Sequence, residues 1–471
     1  MALFAIEERW VICWGLFLCR GVTQGVRVML GALMPYIAEE LQLTPDEKGT
    51  ILAAFSGGYC LTQVAGGYLG DRAGGFWPIF AAMGAMAAGA WAAPFLVDSF
   101  GAKGLAICFF LMGFCEGPSY PSTGAMMGRW VPVHERGKAL AIADTGSSVG
   151  SMLTFAVAPA VASLYGWRSA MRLWGHVAGI ATLFWYLRAT NGPEECARLS
   201  MRELEYLRSH GLGRVGDDKK VWRRDSKFPL VLFTYPAAWA TIVAHSAFNF
   251  GRYFVYNSLV AFYVEQLGAS AVTAGQHILV GQIADALGKF GFAPFVDAAI
   301  RERPGARTRV RKVVSGGAFV AFAGAMVGLA GCGSLVQATG WLVLAKIASS
   351  AHVCGFKSTY LDLTAAHTGA FSGVSNTLAT VSSFVSPLLG GRLLDGSRTG
   401  WANMFFCIAC LNLASAGFWV WYASGDSLDD ALLAADRPGS PDRNSPRTVA
   451  DDVLLEDVSP KPGARAKRVV V

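Results

Sequence analysis

The residues best suited to chemistry are arginines placed inside long apolar runs. Arg20, Gln24 and Arg27 follow one another at intervals of four and three residues, which puts them on one face of a helix. A charged side chain inside a membrane span costs roughly 2.5 to 3.5 kcal/mol, so it needs a partner or a function. Arginine presents a planar fork of donors that suits a carboxylate or a phosphate. We therefore predict an anion-binding face; the alternative is that these arginines snorkel or pair with a structural acid.

A second polar stripe lies in a later apolar run. His245, Asn249, Arg252 and Tyr256 are separated by four, three and four residues and form one continuous face. Such a stripe must face a wet cavity or partner helices rather than lipid. We expect Arg252 to contact the same anion as Arg27, from the opposite half of the chain. His245 by itself is more typical of a satisfied interior histidine than of a ligand.

Two acidic residues are candidates for ion coupling. Glu116 is followed within five residues by two prolines, whose missing amide donors loosen a helix. A buried carboxyl near an arginine can take up and release a proton as its surroundings change. The alternative for Glu116 is a permanent ion pair with Arg27 that holds helices together. Asp144 is the second candidate, either as a cation ligand or as a counter-ion to Arg252.

Three more charged residues lie in the second half of the chain. Asp285 and Lys289 are four residues apart, a spacing that predicts a mutually neutralising structural pair. Lys346 is expected to add positive potential to the cavity that Arg252 faces.

The composition requires a membrane setting for these residues. The 471 residues are 53% hydrophobic and 15% charged, with a mean hydropathy of +0.39, whereas soluble domains are about 25% charged. Ten cysteines are scattered singly through apolar runs, which indicates neither a disulfide framework nor a zinc site. No nucleophile–base set, metal cluster or phosphate loop is recognisable, so we expect no enzyme, no catalytic or metal site and no cofactor. The net charge of +7 comes from loop residues and reflects topology rather than nucleic-acid binding.

The order of apolar runs and charged loops predicts an all-α membrane protein with twelve transmembrane helices in two six-helix bundles. The predicted helix centres are Leu18, Tyr59, Ala87, Gly113, Gly150, Ile180, Phe248, Asp285, Gly324, Ser349, Val381 and Leu411. The predicted divisions are an N-terminal bundle (1–190), a central loop (191–228), a C-terminal bundle (229–424) and a polar, disordered tail (425–471).

The basic residues predict the orientation of the spans. Arginines and lysines concentrate in the central loop and in the loops after the second, fourth and eighth runs, whereas the opposite loops are mostly neutral or acidic. Both termini, the central loop and the tail are therefore expected in the cytosol of a multi-pass integral membrane protein. No cleavable signal or transit peptide is visible before the first run.

A short glycine-rich turn separates the second and third runs. It contains Gly67, Asp71, Arg72 and Gly74. Together with Arg129, Glu135 and Arg136 after the fourth run, its charges can form a network that holds the cytosolic side closed in the outward-facing state. The alternative is that these charges only fix the topology. Asp297 occupies the equivalent position after the eighth run.

Several segments resemble the major facilitator superfamily and, within it, the anion:cation symporters that include sialin, vesicular glutamate transporters and plastid phosphate transporters. In family order they are 58–67, 67–74, 116–121, 129–136, 310–313, 361–363 and 373–378. The resemblance implies a rocker-switch carrier for an organic or inorganic anion, driven by protons or sodium. A family arginine in the first helix matches Arg27, and a family acid linked to proton coupling matches Glu116. The resemblance also favours a gating role for the charges near the Gly67–Gly74 turn.

Departures from the family pattern narrow the expectation. Leu52 stands where some members have a histidine, and Phe109 and Phe248 stand where vesicular glutamate carriers have arginines. Glutamate is therefore a less expected substrate than inorganic phosphate or another small carboxylate.

The sequence thus predicts a secondary active transporter whose partners are a small anion, a coupling cation (H⁺ or Na⁺) and the lipid bilayer. The alternatives are an uncoupled anion facilitator and a membrane sensor that does not transport and signals through its tail.

Overall fold

Long helices cross the molecule back and forth. The computed structural model describes residues 7–132, 135–210, 212, 230–364 and 368–429, without the side chains of 64, 67–73, 136–138, 141, 293, 297, 304 and 368–370. The described helices are α1 (Glu8–Leu41), α2 (Pro45–Ala73), α3 (Phe76–Glu116), α4 (Ser119–Trp130), α5 (Arg136–Tyr165), α6 (Trp167–Arg188), α7 (Met201–Ser209), α8 (Pro236–Leu267), α9 (Ala271–Glu302), α10 (Arg307–Gly331), α11 (Leu335–Ala351), α12 (Phe356–Leu363), α13 (Thr368–Leu393) and α14 (Arg398–Tyr422).

These helices confirm the predicted twelve spans. The third and fourth spans share α3, which breaks at Gly101 with φ 59° and ψ −143°, and α4 completes the fourth. The tenth span consists of α11 and α12. Five segments of the described chain are apolar and long enough to cross a membrane by themselves: Glu8–Leu41, Phe76–Trp130, Ile142–Tyr165, Arg307–Gly331 and Arg398–Tyr422.

Helix starts are set by side chains that accept hydrogen bonds from exposed backbone amides. Thr44 and Glu47 form a reciprocal pair before α2, with Thr44 N donating to Glu47 at 2.9 Å and Glu47 N donating to Thr44 at 3.3 Å. Hydrogen bonds from Thr44 lower the pKa of the Glu47 carboxyl. Serine side chains cap α7, α9, α11 and α14 in the same way: Ser200, Ser270, Ser334 and Ser397.

The spans form two bundles. In the first, α1 packs on α5, and α3 packs on α2 and α6; in the second, α10 packs on α11 and α14, and α9 packs on α11. The main contacts between the bundles join three helix pairs, namely α1 with α8, α2 with α13 and α5 with α9. Counted as spans, these pairs are the first with the seventh, the second with the eleventh and the fifth with the eighth. The site is therefore expected where these six spans meet.

We call the side where α1 begins and α14 ends the linker side, and the opposite side the far side. On the far side the bundles touch through glycine. A Cβ on Gly31 would lie 2.7 Å from Asn257 Cα, and a Cβ on Gly49 would lie 2.7 Å from Pro387 O. Lys48 and Glu265 add an ion pair of 3.3 Å between the bundles. The structure is therefore a conformer in which the bundles meet closely on the far side.

The linker helix α7 docks on the first bundle. The Glu203 carboxylate accepts hydrogen bonds from the amides of Glu8 at 2.9 Å and Arg9 at 3.0 Å, and it also contacts the Arg9 guanidinium at 3.2 Å. It therefore caps the N-terminus of α1, where a negative charge is favourable.

The first residues after α14 pack against the second bundle. Gly425 N donates to Thr308 and Leu428 N donates to the Leu363 carbonyl. The start of the predicted disordered tail is thus ordered as far as Asp429, and residues 430–471 lie outside the described part.

Candidate functional site

Arg27 lies in a cage of aromatic rings. Its guanidinium carbon is 4.8 Å from the Phe55 ring, 5.3 Å from Tyr59 and 4.1 Å from Tyr253. One guanidinium nitrogen also donates to Ser56 at 3.2 Å. Aromatic faces attract a cation without neutralising it, so the charge of Arg27 stays available to an anion. Phe55 and Tyr59 belong to α2 and Tyr253 belongs to α8, so the cage is built by both bundles.

Arg20 lies about two helical turns before Arg27 on the same face of α1 and has a different partner. Its guanidinium is 3.9 Å from Asp144, and its carbon lies 4.4 Å from the Tyr120 ring. Asp144 is therefore the counter-ion of Arg20 in this structure and not of Arg252, which was one of the two predicted roles. The Asp144 side chain is 57% exposed and the Arg20 side chain only 15%. Gln24 follows on the same face, and its amide nitrogen is buried without a hydrogen-bond partner.

Glu116 ends α3 at the point where the fourth span breaks. Both Arg27 and Arg20 act on its carboxylate electrostatically. Within the described residues no ion pair joins Glu116 to Arg27, and one carboxylate oxygen of Glu116 is buried without a hydrogen-bond partner. The permanent Glu116–Arg27 pair considered from the sequence is therefore not formed in this conformer. The carboxylate lies where a proton or a cation would satisfy it.

A small cavity in the second bundle is lined by charged residues. Arg252 and Tyr256 of the predicted stripe line it, and Asp285, Lys289, Lys346 and Lys357 line it as well. Asp285 and Lys289 form the predicted pair at 2.6 Å. The volume of about 20 Å³ is room for a single water. An anion larger than water must therefore move these side chains apart.

Aromatic rings separate the cations of this cavity. Arg252 lies 5.4 Å from the Phe248 ring and 5.3 Å from the Tyr256 ring. Lys346 lies 4.1 Å from the Tyr256 ring, and Lys357 lies 4.7 Å from the Phe248 ring. Each ring is thus shared by two cations.

The other half of the predicted stripe does not line this cavity. The His245 Nδ1 atom lies 2.8 Å from the Tyr360 hydroxyl, and the imidazole packs against Phe356 with centroids 5.6 Å apart. Asn249 is buried, with 7% of its surface exposed. The structure therefore brings Arg252 and Tyr256 together and places His245 with α12.

Arg27 and Arg252 approach the same region from the two bundles. Arg27 contacts Tyr253, the chain neighbour of Arg252, and the rings of Tyr253 and Tyr256 lie 6.3 Å apart. Tyr256 also stacks on Phe155 of the first bundle at 6.3 Å. The two guanidinium groups are therefore linked by aromatic side chains at the seam between the bundles.

Lys357 is the site residue that the sequence predictions missed. It belongs to α12, in the tenth predicted span, eleven residues after Lys346. The signal was a second lysine in one apolar run, which the membrane cost of a charge should have flagged.

Apart from Asp297, which belongs to α9 of the second bundle, the predicted gating residues lie on the linker side of the first bundle, where α2 continues to Ala73 and shortens the predicted turn. Gly74 has φ 86°, and an added Cβ would contact Asn191 Oδ1 and lie 3.0 Å from an Arg129 nitrogen. The Asn191 oxygen accepts the hydrogen bond of Phe76 N at 3.0 Å. The turn, the end of α4 and the segment after α6 therefore meet.

Glu135 has a partner that the sequence did not suggest. Arg9 Nε donates to Glu135 at 3.0 Å, and the Tyr206 hydroxyl donates to it at 3.1 Å. The network thus includes the start of α1 and the linker helix α7. The side chains of the remaining predicted gating residues lie outside the described part: Gly67, Asp71, Arg72, Arg136 and Asp297.

No group of three or more His, Cys, Asp or Glu is arranged to hold a metal ion in the described part of the chain. The site is therefore built from cations, aromatic rings and a few carboxylates.

Known transporters resemble this chain along most of its length. Human (Homo sapiens) sialin is 25% identical over 412 residues, which cover 84% of this chain and 79% of sialin. The chloroplastic sodium-dependent phosphate transport protein 1 of Arabidopsis thaliana is 24% identical, over 90% of this chain and 80% of that protein. Both are anion:cation symporter-like membrane transporters and not enzymes.

The fold is shared with a solved transporter. A bacterial homologue of the human lysosomal transporter Spinster, in an inward-facing and unoccupied conformation, superposes with a TM-score of 0.61 at 16% identity, over 93% of this chain and 100% of that one. The sequence profile of the Major Facilitator Superfamily matches residues 16–387. The chain therefore belongs to the major facilitator superfamily.

Proposed function

We propose that this protein is a secondary active transporter that carries a small anion across its membrane by alternating access, coupled to protons or sodium. The observation that carries the proposal is the position of Arg27. It is a cation without a described ion pair, held by aromatic rings of both bundles at their seam. An anion bound there contacts both bundles, so its binding free energy can drive them from one conformer to the other.

The second bundle supplies the complementary half of the site. Arg252 is one residue from the ring that Arg27 contacts, and Tyr256 offers a hydroxyl 3.5 Å from the Arg252 guanidinium. Gln24 lies on the Arg27 face with a buried, unpartnered amide. We assign substrate binding to Arg27, Arg252, Tyr256 and Gln24, with Arg20 acting through Asp144. His245 and Asn249 belong to the same helix as Arg252, and we assign them a structural role in holding that helix in place.

Glu116 is the proposed coupling residue. Its unpartnered carboxylate oxygen and its two arginine neighbours make its charge depend on what occupies the site. Asp144 is the second coupling candidate because its carboxylate is open to solvent beside Arg20.

Gating is proposed for the linker side. In this conformer the bundles meet on the far side, so the alternate conformer must close on the linker side, where the end of α2 with Gly67–Gly74, Arg129, Glu135 and Arg136 lie, with Asp297 as the counterpart in the second bundle. Asp71→Asn tests this role, since impaired turnover with retained substrate binding is expected. Unaltered turnover would leave Asp71 as a topology marker.

The relatives agree with an anionic substrate and leave its identity open. One relative is named a sodium-dependent phosphate transport protein, and a second relative is sialin. For this chain we propose inorganic phosphate or a small carboxylate, with both termini in the cytosol.

Uptake by the purified protein in liposomes tests the proposal. Labelled phosphate, sialate, glutamate and small carboxylates are compared under imposed proton, sodium and voltage gradients. Accumulation of one anion that depends on a proton or sodium gradient is the expected result.

Two results would contradict the proposal, one from the uptake assay and one from uptake combined with a binding measurement. Uptake that ignores both cation gradients identifies an uncoupled facilitator. Binding without flux, together with loss of function when residues after Ser424 are removed, identifies a membrane sensor.

A further inference from the structure

The charges of the two bundles are balanced differently around the seam. In the first bundle two arginines, Arg20 and Arg27, are matched in number by two carboxylates, Glu116 and Asp144. In the second bundle four cations line the cavity with a single carboxylate, Asp285. Asp285 is already paired with Lys289 at 2.6 Å. The first bundle is therefore formally neutral at the site, whereas the second keeps three unmatched cations.

These three cations are Arg252, Lys346 and Lys357, and they lie close together. Arg252 and Lys346 face the Tyr256 ring at 5.3 and 4.1 Å, so their charges lie within about 10 Å of each other. Arg252 and Lys357 share the Phe248 ring in the same way. Within the described residues, none of the three forms an ion pair with a carboxylate.

Three neighbouring cations repel one another when the single carboxylate beside them, Asp285, is already paired with Lys289, and burial strengthens that repulsion. Lys346 is 95% buried, which removes most of its access to water. The aromatic rings offset part of the cost through cation–π contact, but they carry no negative charge. A bound anion with one charge leaves two cations unmatched, whereas an anion with two charges leaves one.

We propose that the transported anion carries at least two negative charges, and that Lys357 and Lys346 select for the second charge from the second bundle. This inference rests on the proposed function, and it narrows the substrate class to dicarboxylates and divalent oxyanions. Arg27 and Arg252 bind one anionic group at the seam, and Lys346 and Lys357 bind the other inside the second bundle. The narrow cavity of about 20 Å³ opens as the anion enters.

Matched pairs of ligands that differ by one charge test the proposal. Succinate is compared with succinamate, and sulfate with methyl sulfate, at pH 7.5. Binding is measured as the half-saturating concentration for thermal stabilisation of the full-length purified protein. We expect the doubly charged member of a pair to bind at least about tenfold more tightly than its singly charged analogue.

Three variants assign the preference to a residue. Lys357→Gln removes the charge, and the dianion preference should fall to about threefold or less. Lys357→Arg keeps the charge and should keep the preference. Lys103→Gln removes an exposed lysine on the far side, away from the site, and should match the wild-type protein.

The outcomes distinguish a failure of the dianion proposal from a failure of the transporter proposal. Equal affinity for both members of each pair, or an unchanged preference in Lys357→Gln, overturns the selection for two charges while the transporter proposal stands. Flux of singly charged anions only, in liposomes, also overturns it. Charge-selective binding without any flux contradicts the transporter proposal and leaves the dianion site in place. If the protein neither binds nor transports any of these anions, both proposals are contradicted.

Discussion

The guanidinium of Arg27 lies 4.1 Å from the ring of Tyr253, so a cation of the first bundle rests on an aromatic side chain of the second. Tyr253 is the chain neighbour of Arg252, and its ring lies 6.3 Å from that of Tyr256. One contact thus ties together the two arginines that the sequence placed in separate halves. In the proposed mechanism, a ligand that competes for Arg27 also disturbs the seam, and this couples binding to conformational change.

Arg27→Ala is expected to abolish anion uptake without unfolding the protein. A charge-assisted hydrogen bond contributes about 1.5 to 3 kcal/mol, so affinity should fall roughly ten- to hundredfold. Measuring uptake and thermal stability on the same preparation separates a loss of anion binding from a loss of folding. Tyr253→Phe keeps the ring and is the matched control, expected to stay near wild type. Near-normal uptake by the Arg27→Ala variant would contradict a substrate-binding role.

Glu116→Gln should separate exchange from accumulation. The amide has the shape of the carboxyl but cannot bind or release the coupling proton. We expect counterflow exchange of labelled substrate to continue while gradient-driven accumulation is lost. Glu194→Gln changes an exposed acid in the linker and serves as the control. Concentrative uptake that survives in Glu116→Gln would rule out proton coupling at this residue.

Gly49→Ala should push the bundles apart on the far side. The added methyl group would lie 2.7 Å from Pro387 O and 2.9 Å from Gly391 Cα, and neither backbone atom can give way easily. Ser258, which lines the groove beneath this contact, is replaced by cysteine in a background without reactive native cysteines. Its modification by a membrane-impermeant thiol reagent should become faster. Gly317→Ala, where a Cβ meets nothing within 4 Å, should leave the rate unchanged.

Gly74→Ala should destabilise the first bundle by more than Gly101→Ala. Both glycines have positive φ, 86° and 59°, so both substitutions carry a backbone cost of about 1 to 3 kcal/mol. Only at Gly74 would the methyl group also displace Asn191 and with it the hydrogen bond to Phe76 N. Thermal unfolding of the two variants in the same detergent measures the difference. Equal losses would show that the Asn191 contact is irrelevant.

Glu203→Gln should loosen the first helix and the linker helix together. The carboxylate accepts two backbone amides and the Arg9 guanidinium while only 4% exposed. Hydrogen bonds to charged groups contribute about 1.5 to 3 kcal/mol, so a loss of that order is expected. Glu205→Gln alters an exposed acid on the same helix and should have little effect. Limited proteolysis of the linker gives a second readout, since faster cleavage is expected only in Glu203→Gln.

The alternation of apolar runs with charged loops was sufficient to predict the twelve spans, although only five segments of the described chain are apolar enough to cross a membrane by themselves. Each predicted centre falls inside the helix or helix pair assigned to it, even where α3 joins two spans through Gly101. Span length is set by the bilayer, so a run of about 20 apolar residues is a strong signal. The placement of Arg20 and Arg27 on one inward face followed from helical periodicity in the same way.

Partners between helices were harder to predict. The spacing of His245 and Arg252 placed them on one face of α8, but the twelve residues from His245 to Tyr256 extend over about three turns and meet different neighbours. His245 meets Tyr360 while Arg252 meets the cavity. Likewise, Asp144 was assigned to Arg252 as one option, and the packing of α1 on α5 gives it Arg20 instead. Periodicity indicates a face, whereas tertiary packing decides what that face touches.

The hydrogen bonds that the first amides of α1 donate to the Glu203 carboxylate have a consequence for biosynthesis. A chain emerges from the ribosome with its N-terminus first, so the opening turn of the first span waits for a residue that follows the sixth. Until then its exposed amides have only water or lipid headgroups to bind. Truncated nascent chains that stop before residue 203 should therefore hold the first span less firmly than chains a few residues longer.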